Sequence, residues 1–312
     1  MDKKKISIAV PVFNEQENIE TLYNRVSAVM EKIPQYEYEI VFFDDGSTDM
    51  SRQIIEKLSS CDPHVCAVFY KKNYGYAKNI FYSVQQSKGD AVILIHADMQ
   101  NPPELIPQFI EKWESGEKIV LGVKNKSLEN KFMYFLRTVF YKIMNVIFGL
   151  RLIPHATDFG LFDRSFVEEL KEVKSNRPFL RGIELQFCQN PGLIYYTQDK
   201  RQEGKTHFNL SKYYSFAIDG IVGYSRVLPR RIILASVIGI VLTVIEFLAF
   251  CLPRIIILGG YLCFSNTFFI HVGVALIFTL LICVSIFAEY VFTVKDNLET
   301  KPLILEEKRM NY

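Results

Sequence analysis

Two apolar stretches near the C-terminus constrain the rest of the chain most. Residues 232–252 carry one charge, Glu246, and residues 268–294 form a second run with His271 near its start and Glu289 near its end. A helix of about 20 such residues crosses the hydrocarbon of a bilayer, so the sequence predicts a two-helix transmembrane hairpin over 232–294. Pro253–Thr267 is too short for a third span and reads as a segment at the far interface. Arg226, Arg230 and Arg231 precede the first span. Lys295, Lys301, Lys308 and Arg309 follow the second, while the connecting loop has only Arg254. Basic residues mark the cytoplasmic side, which places both termini and a tail over 295–312 in the cytoplasm, with the chain in the inner (plasma) membrane. Glu246 fits either a functional role or packing against a partner helix.

The front half has a different grammar. Ile6–Phe13, Glu39–Phe43, Val65–Tyr70 and Ala91–His96 are short apolar runs that read as buried strands. Between them Ile19, Leu22, Val26 and Val29 recur at helical spacing. Ser51–Leu58 and Ala77–Ser87 also read as helices, and another starts at Pro102-Pro103. Strands alternating with helices imply an α/β unit with a mostly parallel sheet. Ligands of such sheets bind beyond the carboxyl ends of the strands. Two acidic clusters fall at such ends, Asp44-Asp45-Gly46-Ser47 and His96-Ala97-Asp98-Met99-Gln100.

From Asn130 to Leu152 the pattern changes again. Phe132, Phe135, Val139, Ile143, Val146 and Ile147 form an apolar stripe, with Lys131, Arg137, Lys142 and Arg151 around it. Such a helix suits a membrane surface, and it equally suits a core face. A second amphipathic, juxtamembrane segment, 208–231 with Tyr213–Leu228 at its centre, leads into the first span. Net charge is only +2, from 36 Lys+Arg against 34 Asp+Glu, so no concentrated basic face points to nucleic acid. The six cysteines form no C-x-x-C pair and read as small buried residues in a reducing compartment. Lys3-Lys4-Lys5 is followed by too short an apolar run for a signal peptide.

The strand-end residues suggest particular chemistry. Pro11-Val12-Phe13-Asn14-Glu15 ends the first strand, where a loop can hold a base and ribose. Asp44 or Asp45 can accept a hydrogen bond from a base N–H, although D-D-G-S is also a common turn. Asp98 and Gln100, alternate residues of an extended segment, lie on one side of it, and His96 shares that parity. A carboxylate with an amide oxygen suits a divalent metal that neutralises a diphosphate. Adding His96 as a third ligand suits Mn²⁺ better than Mg²⁺, and a histidine at a strand end is also often structural.

Together these strings resemble the family 2 glycosyltransferases, in particular the branch acting on polyprenyl phosphates, and the resemblance covers nearly the whole chain. Val10–Glu15 resembles the opening P-x-x-N-E, and Asp44–Asp49 the nucleotide-binding D-D-G-S-x-D. Asp98–Glu104 is similar to the D-L-Q-D-P-P-E after the metal motif. Asp158-Phe159 with Leu161–Arg164 resembles D-F-R-L-x-x-R near the sugar site, Arg177–Gly182 resembles R-P-F-x-R-G, and Arg201, Gly204 and Thr206 resemble R-x-x-G-x-S. The resemblance implies a GT-A (Rossmann-like) catalytic domain over 1–207, with interfacial helices and the two C-terminal spans. It implies inverting transfer of one sugar from a nucleotide-sugar, a UDP-sugar by preference, to polyprenyl phosphate, taken as undecaprenyl phosphate. Pro11, Phe13, Asn14, Glu15, Asp44, Asp45 and Ser47 would hold the nucleotide. Asp98, Gln100 and His96 would hold Mn²⁺ or Mg²⁺, and Asp98 and Asp158 would serve the chemistry. Lys131, Arg137, Arg201 and Lys205 would hold the lipid phosphate, and the tail would support a homo-oligomer.

Three departures stand out. The first Asp of the metal D-x-D is His96, the Arg of D-F-R-L is Gly160, and the Trp expected after R-P-F-x-R-G is absent from 183–188. Two rival readings follow: a polysaccharide synthase of the same fold, which lacks its Q-x-x-R-W here, and a non-catalytic lipid-binding scaffold with a decayed metal site. A dehydrogenase is excluded by the lack of G-x-G-x-x-G after the first strand.

Overall fold

The computed structural model describes residues 3–126, 152–173, 175, 178–197 and 303–312, with isolated positions between 142 and 294. Lys131, Arg137, Arg201, Lys205, the segment 208–231 and most of the two apolar stretches lie outside the described residues. So does most of the helix expected over 130–152. At its end Asn145 and Leu152 exchange two hydrogen bonds of 2.8 Å.

One eight-stranded sheet organises the described chain. The strands are β1 (Lys5–Val12), β2 (Glu37–Asp44), β3 (Val65–Tyr70), β4 (Ala91–Leu94), β5 (Ile119–Lys126), β6 (Ala156–Asp163), β7 (Gly192–Thr197) and β8 (Glu306–Met310). Their order is β7-β5-β6-β4-β1-β2-β3-β8. The central four, β4-β1-β2-β3, are parallel, as the alternating pattern requires. The whole sheet is mixed rather than mostly parallel, because β6 runs against both its neighbours and β8 runs against β3.

Period-two alternation sends each strand's side chains to two cores. Ile6, Ile8 and Val10 of β1 meet Ile40 and Phe42 of β2 on one face, while Val41, Phe43 and Val68 line the other. The first core is closed by α1 (Ile19–Met30), α2 (Ser51–Cys61) and α4 (Ile106–Glu114). The second is closed by α3 (Tyr76–Gln86), α5 (Arg164–Glu172) and α6 (Leu180–Phe187). All four apolar positions read for α1 are buried. With both faces covered, the central strands are near-continuous apolar runs.

β8 changes the expected domain boundary. Part of the segment read as a cytoplasmic tail belongs to this sheet, pairing Ala67 with Met310 and Tyr70 with Glu306. Arg52–Glu307 (3.1 Å) and Lys308–Glu56 (3.0 Å) tie it to α2. Asn311 donates to the carbonyls of Ser59 and Val65.

Among the described residues no helix is long and apolar enough to cross a membrane. The helical positions described in 268–294 nevertheless include Leu276, Leu280, Val284, Phe287, Val291 and Val294, each at least half exposed and spaced three or four apart.

Candidate active site

The loops after β1 and β2 lock one another. Asn14 N–H donates to Ser47 Oγ (2.9 Å), Thr48 N–H returns to Asn14 Oδ1 (2.8 Å), and Glu15 N–H donates to Ser51 Oγ (2.9 Å). Gly46 makes this turn possible. Its φ is +68°, and a Cβ there would stand 2.7 Å from the Lys72 carbonyl carbon. Asp44 accepts from Ser47 N–H, and burial raises its carboxyl above the usual range against that bond. Asp45 accepts from Tyr74 N–H (2.6 Å) and Gly75 N–H (2.9 Å), thereby fixing the loop between β3 and α3. Burial still pushes Asp45 up to about 6. The residues read as a nucleotide site therefore converge at the carboxyl ends of β1 and β2. Asn14, Asp45 and Ser47 also carry the loop architecture, and Pro11 and Phe13 are half-buried beside them.

Asp158 stands at the opening of β6, beyond the end of β4, and is 1% exposed. Arg181 from α6 grips it with Nε to Oδ1 at 2.8 Å and Nη2 to Oδ2 at 3.1 Å, while Tyr76 Oη donates to Oδ2 at 2.6 Å. Burial alone would raise this carboxyl; the Arg181 guanidinium, with His96 and Tyr76, outweighs it and holds Asp158 down to about 2. Such an acid is a poor base and a firm anchor. Neither Tyr76 nor Arg181 was assigned a role from the sequence. The quoted R-P-F-x-R-G string contains Arg181, but nothing local points it at Asp158.

The His96–Gln100 segment is a turn, not the extended segment expected. Met99 has φ +61° and is buried. Parity therefore does not set these side chains on one side. His96 Nδ1 lies 2.7 Å from Asn101 Oδ1 and Nε2 lies 2.9 Å from Tyr76 Oη. Tyr76 has one hydroxyl proton, and the Asp158 carboxylate takes it. Its lone pair then faces Nε2, so the imidazole spans Tyr76 and Asn101. His96 serves as a link in this arrangement. Asp98 Oδ1 accepts from Gln100 N–H (3.1 Å). Among the described residues no three His, Cys, Asp or Glu side chains converge as a metal cluster. Asp98 with Gln100 still fits Mg²⁺ or Mn²⁺, which commonly takes one or two carboxylates and completes its shell with substrate phosphate and water.

Asn14 (φ +55°), Met99 (+61°) and His155 (+61°) all sit in the left-handed region at this end of the sheet. Strained backbone of this kind collects where function demands it. Gly160 lies deeper, paired to Leu94 and Leu121, and a Cβ there would meet the Val120 carbonyl oxygen at 2.7 Å. This departure is thus built into the sheet.

The mixed α/β sheet, parallel at its centre, thus carries two acidic turns and a buried Asp–Arg pair beyond the carboxyl ends of its central strands. The sequence model of glycosyl transferase family 2 matches residues 7–171. The chain is 35% identical over 245 residues to the prophage bactoprenol glucosyl transferase homolog of Escherichia coli (strain K12), covering 78% of this chain and 79% of that one. It is 30% identical over 308 residues to the uncharacterised glycosyltransferase YkcC of Bacillus subtilis (strain 168), covering 97% and 93%. Among solved structures it is similar to glucosyl-3-phosphoglycerate synthase from Mycobacterium tuberculosis, in complex with Mn²⁺, UDP-glucose and phosphoglyceric acid. That likeness has 17% identity, covers 69% of this chain and 76% of that one, and has a TM-score of 0.46. The chain belongs to glycosyl transferase family 2 and is a glycosyltransferase.

Proposed function

We propose that this enzyme transfers one sugar from a UDP-sugar to a polyprenyl phosphate, undecaprenyl phosphate by preference, at the cytoplasmic face of the membrane. The observation that carries the reading is the likeness, across most of both chains, to proteins named as bactoprenol glucosyl transferases. The six exposed apolar positions described between 276 and 294 support a lipid setting, since soluble proteins rarely expose large apolar patches.

The chemistry fits the residues. An acceptor phosphate oxygen attacks the anomeric carbon as the bond to the diphosphate breaks, with inversion, and UDP leaves. A phosphomonoester with its second pKa near 6 is mostly ionised at neutral pH, so no strong base is required. Asp158, held at about 2, orients rather than deprotonates. Asp98 and Gln100 would hold Mg²⁺ or Mn²⁺, which would supply positive charge to the departing diphosphate. The loops at Pro11–Glu15 and Asp44–Ser47 hold the nucleotide. Lys131, Arg137, Arg201 and Lys205 remain the candidates for the lipid phosphate, since cations pair well with phosphate oxygens.

The test uses the full chain in liposomes with undecaprenyl phosphate, Mn²⁺ or Mg²⁺, and a panel of UDP- and GDP-sugars. Radiolabelled sugar should enter the lipid fraction from a UDP donor and vanish in Asp98→Ala. Transfer in Asp98→Ala at the wild-type rate, or no transfer from any donor by folded protein, would overturn the reading.

A further inference from the structure

Glu184 lies one helical turn after Arg181 on α6. It is 2% exposed, and its Oε1 has no hydrogen-bond partner among the described residues. An orphaned buried carboxyl is costly, and a folded chain seldom tolerates one without a use. It lines a small cavity whose walls include Leu121, Leu152, Ile153 and Leu185, with Arg181 on the side of Asp158. Burial, aided by the Asp158 charge and opposed by Arg181, pushes the Glu184 carboxyl up to about 8. At neutral pH it is mainly an uncharged acid, able to donate as well as accept.

The cavity selects by size and by lining. Its enclosed part admits about one water-sized group, such as a hydroxyl, and its mouth is partly open, so a sugar ring stays outside while one substituent can place its tip within and its stem in the mouth. The alkyl walls favour a group with an apolar stem, and the carboxyl favours a hydroxyl at its tip. An anion would meet the Glu184 carboxyl and an Arg181 already paired with Asp158, and a bare cation has no second carboxylate in the lining to meet. We propose that this cavity is the subsite for the hydroxymethyl group of the transferred hexose, with Glu184 hydrogen-bonded to the hydroxyl and the leucine and isoleucine side chains against the methylene. The inference rests on the nucleotide-sugar reading above, which brings the sugar between the nucleotide loops and Asp158.

UDP-glucose and UDP-xylose differ by this group alone. Calorimetry on the full chain in nanodiscs would compare UDP, UDP-glucose and UDP-xylose for the wild type, Glu184→Gln and Glu184→Leu. A site built around a hydroxyl rejects the analogue lacking it far more strongly than a merely apolar pocket does. Wild type should therefore prefer UDP-glucose by at least about 100-fold. Glu184→Gln should keep most of that ratio, because the amide still pairs with a hydroxyl. Glu184→Leu should reduce it to about tenfold, the share of the methylene alone, with UDP affinity unchanged and the melting temperature raised. Equal binding of the two donors by wild type, or the wild-type ratio persisting in Glu184→Leu, would overturn the inference and leave Glu184 with a buried water at most. Failure of wild type to bind UDP at all would instead overturn the donor reading, and this inference with it.

Discussion

Replacing Arg181 by Met tests the site through its electrostatics. The substitution keeps an unbranched apolar stem and removes the guanidinium from a carboxylate that is 1% exposed. Lowering Asp158 from its ordinary 3.8 to about 2 corresponds to about 2 kcal/mol of stability at neutral pH. The variant loses more than that, because Asp158 is left buried and unanswered; breaking a buried pair from one side costs roughly 3–5 kcal/mol. The pH dependence should reverse as well. A depressed acid contributes fully above about pH 4, and the contribution fades as pH falls through 2. Without Arg181 burial dominates and Asp158 takes up a proton on folding, so the variant becomes more stable as pH falls below neutral. Urea titration of the full chain in detergent, followed by fluorescence, measures this. Trp113 is the only tryptophan, and it is buried against the sheet with its indole N–H on Asp163 at 2.8 Å, so the signal reports the catalytic unit. A loss under about 1 kcal/mol at pH 7, with an unchanged pH slope, would refute the account of the pair, since the buried-pair value is several times larger.

Tyr76→Phe keeps the ring and removes the hydroxyl shared by Asp158 and His96. About 1.5–3 kcal/mol should go, the usual worth of a hydrogen bond to a charged group, and sugar transfer should fall while UDP affinity measured by calorimetry holds. Gly46→Ala forces a Cβ onto the Lys72 backbone at φ +68°, so UDP binding should drop at least tenfold, scored by the same titration; an unchanged affinity would contradict the loop's role. Deleting residues 303–312 strips β8 from β3 and exposes a sheet edge. The melting temperature should fall by several degrees and light scattering should report self-association. Nucleotide affinity should weaken too, because Leu305 accepts from Lys71 N–H and donates to the hydroxyl of Tyr74, whose backbone N–H bonds Asp45.

The four central strands were legible because each is a buried apolar run between turn residues, and the helices α1 to α3 because their apolar faces repeat at helical spacing. β5 to β8 were not read. Ala156–Asp163 contains Thr157, Asp158 and Gly160 and alternates poorly, and Glu306–Met310 is almost wholly charged. Strands of that composition form because a sheet edge is waiting, a tertiary cause that local pattern does not carry. The site divides similarly. Asp44, Asp45, Asp98 and Asp158 were visible as acids in motifs, whereas Tyr76 and Glu184 are ordinary residues on ordinary helices. Their importance comes from Asp158 lying beside them across 82 and 26 positions of chain respectively.

The return of the chain to β3 constrains the membrane topology proposed above. The catalytic strands and β8 share one hydrogen-bonded sheet, so the ends of the intervening segment, 197 and 306, lie on one side of any bilayer. A segment whose ends share a side crosses an even number of times. Two apolar stretches of spanning length, 232–252 and 268–294, meet that parity; one span with one interfacial helix would not. The excess of basic residues before the first stretch and after the second reaches the same arrangement from charge alone. These arguments are independent, since one uses only backbone pairing and the other only lysine and arginine counts. The short tail is also too charged to hold an edge strand by burial, and its pairs with Arg52 and Glu56 are exposed and individually weak. Its place depends on backbone hydrogen bonds to β3 and on Asn311, Tyr312 and Ile304 packing beneath it. On the membrane reading proposed above, a hairpin that delivers residue 303 close to the sheet would reduce the entropy of closing that loop, and anchoring that segment and ordering the loop at Tyr74 would be parts of one folding problem.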